Sequence, residues 1–280
     1  MDARQDFDKD RPTVALAGTW AVRYAKPDDL VHLTIRPTSG APNSTSAVGV
    51  RLSALPGLAP EELLSQHAQA RFKLIRDTGA IAFEGHVGAG QGGGEFVFQP
   101  STGFTAAMRS VGYGSFSVAD LFRLAIHNIG MAFLRELSAL GHQGVPVDDL
   151  LEMRIHGVSP ALIQELQTLG YRNSITVEQL ILMRIHGVTP EFIRALHDLG
   201  YDGISVDDLL EMRIHGVSPA LIQELQTLGY QNSTTPEQLT IMRIHGVTPQ
   251  FIRGVRDRGH DGVPVDDLLE MRMHGIGAYR

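Results

Sequence analysis

Cysteine is absent from all 280 residues, which excludes disulfides, thiolate zinc sites and a cysteine nucleophile. Aromatic residues make up only 6% of the chain and Trp20 is the sole tryptophan, so a mainly aliphatic core is expected. Lysine disappears after Lys73, and residues 115–280 carry 13 Arg against 20 Asp and Glu. That segment alone accounts for the formal net charge of −7. A phosphate-backbone binder needs a basic face, so no nucleic-acid partner is expected. No apolar run approaches the roughly 20 residues of a membrane helix, so no membrane insertion is expected. Met1 to Arg11 is charged and has no apolar h-region. As it stands the chain reads as cytoplasmic, or periplasmic if a leader has been removed. There is no Gly-x-Ser-x-Gly elbow and no His-Glu-x-x-His zinc motif, so no catalytic residue, metal or cofactor is assigned.

What is present is repetition. Met-Arg-Ile-His-Gly recurs at 153–157, 183–187, 212–216 and 242–246, with Met-Arg-Met-His-Gly at 271–275. The alternate spacing of 30 and 29 residues marks a repeat architecture. A degenerate copy, Leu124 to Asn128, lies 29 residues before the first. Residues 147–174 and 206–233 agree at 27 of 28 positions, differing only at Arg172 against Gln231. Each unit reads as two helices. Ser205, Thr176 and Thr235 cap the first helix, whereas Pro146 and Pro264 require another solution. Val206, Leu209, Leu210, Ile214 and Val217 form its apolar stripe, and Gly216 ends it. Ser218 caps the second helix with Pro219 at its first position. Leu221, Ile222, Leu225 and Leu228 are its stripe. Such a pair cannot bury its apolar faces alone, so the units are expected to stack into an α-solenoid over residues 115–280.

Residues 12–112 read as β-rich. Short apolar runs at Thr13–Ala25, Val31–Ile35, Val48–Leu52, Phe72–Ile75, Ile81–Val87 and Phe96–Phe98 alternate with turn-rich segments. Pro37–Ser46 and Gly88–Gly94 are among those turns, a helix starts near Pro60, and another spans Phe104–Val111. The expected class is therefore α+β, an antiparallel β-sandwich or partly closed barrel followed by the array. Gly88–Gly94 lacks the Gly-Lys-Ser/Thr ending of a phosphate loop and lies between strands, so it reads as a hairpin. Glu84, His86 and Glu95 flank that hairpin and are the one cluster with acid–base character.

Two ladders run through the repeats. His127, His156, His186, His215, His245 and His274 hold one position. Stacked helices lie about 8–10 Å apart, too far for neighbouring imidazoles to share a zinc at about 2 Å, so each is read as a helix-end residue. Arg154, Arg184, Arg213, Arg243 and Arg272 form the second ladder. On a helical wheel Arg154 falls between Leu150 and Leu151, inside the apolar stripe. A guanidinium there needs partners. Either each Arg bonds carbonyls or acids of the next unit, or the row lines a groove for an acidic ligand or peptide. Ala125 replaces it in the first copy, as expected where the array meets another surface. The Gly-Val-Ser/Thr-Pro turn is similar to a helix-hairpin-helix DNA-binding turn, but Ser or Thr stands at its second glycine and the charge opposes it.

The unit Met183–Tyr201 resembles helical repeats found in bacterial proteins, some of them appended to BlaR-type sensor peptidases. Phe72–Gly85 and Gly92–Pro100 resemble the β-region that precedes such repeats. The resemblance implies a sensor-associated accessory module, with no peptidase counterpart in this chain. The reading is a non-enzymatic module that binds a protein or peptide. The alternatives are a small-ligand protein or enzyme with its site in the β-domain, and nucleic-acid binding as the least favoured.

Overall fold

The computed structural model describes residues 16–25, 29–38, 45–109, 112–114, 116–172, 175–230 and 234–275. The charged N-terminus, much of the 37–46 turn, Ser115, Gln231 and residues 276–280 lie outside these. The chain forms two compact units, one running through Ile155 and the other from His156 onward.

The first unit is built on one curled, fully antiparallel six-stranded sheet, half of a barrel. Its strands are β1 (Leu16–Ala25), β2 (Leu30–Pro37), β3 (Ser46–Arg51), β4 (Ala68–Arg76), β5 (Gly79–Gly88) and β6 (Gln91–Pro100). They lie in the order β3-β2-β1-β6-β5-β4, so two three-stranded meanders join through β1 and β6. Period-two alternation sends Trp20, Val22, Leu33, Ile35, Phe72, Leu74, Ile81, Phe83, Phe96 and Phe98 to one buried face. The buried residues of this unit are mainly aliphatic, as expected, with five aromatics clustered on that face. Trp20 meets Phe72 edge-on at 5.1 Å and Phe83 at 6.0 Å, while Phe72 stacks on Phe83 at 4.7 Å. The Trp20 indole N–H donates to the carbonyls of Glu84 (3.1 Å) and Glu95 (3.0 Å).

The glycine-rich hairpin is shorter than the sequence suggests. Gly92, Gly93 and Gly94 belong to β6, paired with Val22, Ala21 and Trp20. A Cβ at Gly94 would lie 2.0 Å from the Glu84 carbonyl oxygen. Close approach of the strands, not loop flexibility, therefore demands glycine there.

Between β3 and β4 the chain makes a 3-10 turn (Leu52–Ala54) and α1 (Pro60–Leu64); α2 (Thr102–Arg109) follows β6. The helix pairs then begin with α3 (Val118–Ile126), α4 (Met131–Ala139) and α5 (Val147–Ile155). Phe122 of α3 stacks on Phe96 at 5.4 Å and meets Phe98 at 5.5 Å, fastening the first repeat to the sheet. Ala125 is fully buried in that contact region, where an arginine would have no room. Helix α2 packs on α4 as second helices pack on each other further along. The string Gly112-Tyr113, with Ser117-Val118 after it, parallels Gly200-Tyr201 and Ser205-Val206. The repeat pattern therefore begins one half-unit earlier than the helix motifs indicate.

The second unit continues with α6 (Pro160–Thr168), α7 (Val177–His186), α8 (Pro190–Asp198), α9 (Val206–Ile214), α10 (Pro219–Thr227), α11 (Pro236–His245), α12 (Pro249–Arg256) and α13 (Val265–Met273). First helices α7, α9, α11 and α13 pack in succession, and second helices α6, α8, α10 and α12 do the same. The caps are those expected: the Ser205 hydroxyl accepts the Asp208 N–H at 3.1 Å, and Thr176 and Thr235 form capping boxes with Gln179 and Gln238. Pro264 supplies no side-chain cap. Tyrosines tie successive linkers together: Tyr171 donates to the Ile204 carbonyl and Tyr230 to the Val263 carbonyl, each at 2.8 Å.

Candidate functional site

The arginine ladder bonds along the array. Within the first unit the Arg154 Nε donates to the His127 carbonyl at 3.1 Å. Within the second, Arg184 donates to His156 (3.1 Å), Arg213 to His186 (3.3 Å) and Arg243 to His215 (3.3 Å). Each guanidinium thus satisfies a carbonyl at the end of the first helix one unit earlier, where the helix dipole is negative. The histidines take part through their main chain. Arg213 also lies 5.0 Å over the Phe192 ring and Arg272 5.2 Å over Phe251. These arginines lie over helix ends and none is buried: Arg213 and Arg243 are half-buried, and Arg154, Arg184 and Arg272 are exposed. Arg213→Ala removes a charge-assisted bond and a cation–π contact, and is expected to cost about 1.5–3 kcal/mol. A thermal melt of the variant measures this, and an unchanged midpoint contradicts it.

His127 has a second consequence. Burial, then the charges of Arg123 and Arg154, hold its imidazole below the ordinary histidine range. Burial does the same to His142. The unfolded chain therefore takes up these protons more readily than the native one. The resulting stability is complete above about pH 6.5 and is lost as pH falls from there through the lowered native values. Melting temperature is expected to drop between pH 7 and pH 5, with a shallower acid limb in His127→Asn, which keeps the carbonyl.

The array's exposed face is apolar at one repeated position. Ile185, Ile214, Ile244 and Met273 are 51%, 53%, 53% and 56% exposed on α7, α9, α11 and α13. The sequence reading put Ile214 in the core; Met212, fully buried, takes that place. Around the helical wheel Met212, Leu209, Val206 and Leu210 follow one another along a single buried arc, and Ile214 falls just beyond its Leu210 end. Ile155 is exposed in the same way at the end of the first unit. Beside this ridge run two more rows. One is Leu182, Glu211, Ile241 and Glu270; the other is acidic, Glu178, Asp207, Glu237 and Asp266. The Gln179 amide bonds Asp207 at 2.9 Å, bracing that acidic row from one helix to the next.

In the sheet, Glu84 and Glu95 are brought directly opposite each other on the polar face, and His86 lies two residues along the same face. Opposed carboxylates repel. Arg71, 3.7 Å from Glu84, relieves this, and both side chains of that pair stay well exposed. His86 instead stacks on His67, ring centroids 4.8 Å apart. These two rings, with Arg23, His32 and Gln91, line an open depression of about 970 Å³. Sequence reading missed His32 and His67, because alternation with buried neighbours marks a face but not which rings share a hollow. Among the described residues, no three His, Asp or Glu side chains converge on a metal position.

No described helix is long and apolar enough to cross a membrane. The chain matches no protein-family model, and no curated protein sequence matches it.

Proposed function

We propose that this chain is a non-catalytic protein-binding module whose repeats hold a partner along the Ile185–Ile214–Ile244–Met273 ridge. The observation that carries the reading is an apolar side chain left exposed at the same place in four successive units. Large aliphatic residues in solvent, aligned and rimmed by charge, are the usual anatomy of a protein interface. The flanking acids select a partner surface that is apolar and basic. Repetition suits this role, because adding a unit lengthens the surface without redesigning it. The resemblance of the repeats to those appended to BlaR-type sensors supports an accessory role in bacterial envelope sensing.

A photo-crosslinking residue at position 214 tests the ridge, with one at Thr19 on the sheet's polar face as control. A protein captured from lysate of the native organism through position 214 alone supports the reading, and capture through Thr19 alone contradicts it. The second reading is a small-ligand site in the hollow beside His67 and His86. It is favoured by the stacked rings and the volume of that hollow. A ligand screen monitored by His67 and His86 ring resonances separates the two.

A further inference from the structure

The sheet treats its two edges differently. On β4 the Lys73 amide donates outward to the Pro56 carbonyl at 3.1 Å, so the chain itself covers that edge. On the opposite side β3 pairs only with β2. The Leu52 amide bonds the Asp29 carbonyl at 3.0 Å. By ladder alternation Val50, Val48 and Ser46 then turn their N–H and C=O groups toward β2. Ala47 and Gly49 turn theirs outward, as Arg51 does its N–H, and among the described residues no backbone bond from outside the sheet engages them; the Arg51 carbonyl caps the 3-10 turn. An uncovered edge of this kind is a template for another strand.

That edge forms one wall of a cleft of about 620 Å³, with Arg76, His127, Arg154 and Ile155 among the residues across from it. Arg51, Arg76 and Arg154 line it together, and among the described residues no acidic side chain does. The Arg76 Nε is buried without a hydrogen-bond partner, and burial is the main influence on that guanidinium. Arg154 is held in place through its bond to the His127 carbonyl.

We propose that the open edge of β3 takes an extended acidic peptide as a seventh strand, its carboxylates held by Arg51, Arg76 and Arg154. Main-chain bonds to Ala47, Gly49 and Arg51 supply sequence-independent affinity, and the arginines select acidic side chains at alternate positions. An extended backbone is required because only it presents donors and acceptors in register with a strand edge. The site is independent of the repeat ridge, which selects the opposite charge.

The test uses the full chain and a labelled decapeptide of alternating Glu and Val, with alternating Lys and Val as control. The Glu peptide is expected to bind and the Lys peptide to fail. Ala47→Pro removes an outward-facing donor while leaving the β2 ladder intact, and Arg51→Glu reverses an exposed charge. Each is expected to weaken binding about tenfold or more. Hydrogen exchange at the amides of residues 47, 49 and 51 is expected to be fast in the free protein and slowed by the Glu peptide. Slow exchange in the free protein overturns the proposal, because the edge is then already occupied. So does binding that ignores Ala47→Pro, which makes the cleft a simple anion site, or preference for anionic lipid vesicles over the peptide. Exchange at these amides is read on wild-type protein, so a variant that fails to fold leaves the test intact.

Discussion

Phe122→Ala is expected to cost about 3–5 kcal/mol, the usual loss for a buried phenylalanine. Its ring is 3% exposed. It lies nearly parallel to Phe96, at an interplanar angle of 7°, and edge-on to Phe98. Truncation therefore opens a cavity lined by rigid aromatic groups of the sheet, which cannot collapse to fill it. Trp20 provides the readout, because it is the only tryptophan and is buried in the same sheet. The expected result is a lower melting midpoint by Trp20 fluorescence, with Phe122→Leu intermediate. A Trp20 transition indifferent to Phe122→Ala would show that α3 does not stabilise the sheet.

Met212→Ala is the counterpart in the second unit, with an expected cost of about 2–5 kcal/mol. Met212 is fully buried in α9, and α9 packs on both α7 and α11. In a stacked array, stability is a sum of unit and neighbour terms, so loss at one unit also weakens its interfaces. The helical melt is expected to broaden as well as shift. Ile214→Ala, further along the same helix, is expected to stay within about 0.5 kcal/mol of wild type, as exposed substitutions do. Circular dichroism melts of the two variants read this contrast directly. Equal effects would contradict the assignment of Met212 to the core and Ile214 to the surface.

That pair also shows where sequence reading reached its limit. Exact repetition, capping residues and glycine breaks located the array's helices from Val147 onward with little ambiguity, because those signals are local. Met212 and Ile214 both have apolar side chains, and only the neighbours from adjacent units decide which is covered. The strands were legible as alternating runs, but their order was not. Among the described residues the first strand, β1, pairs with the last, β6, through backbone bonds that carry no residue code. Glu84 and Glu95 are legible as a cluster because one hairpin joins their strands, and the register sets them opposite each other. Arg51 and Arg76 went unnoticed, because nothing in their local sequence shows that β3, the end of β4 and the helix ends gather them into one cleft. The arginine ladder was visible as a periodicity. Its carbonyl acceptors were not, since every residue type offers the same acceptor.

The central claim is that the exposed ridge, rather than the arginine row, holds a protein partner. It is tested most directly by replacing Ile185, Ile214 and Ile244 together with glutamate, then measuring melting and retention of the cross-linked partner. The account predicts a folded array with a nearly unchanged melt and loss of the partner, while Arg213→Ala melts lower yet keeps it. Full retention by the triple variant, or loss of the partner in Arg213→Ala under conditions where it remains folded, would contradict the claim.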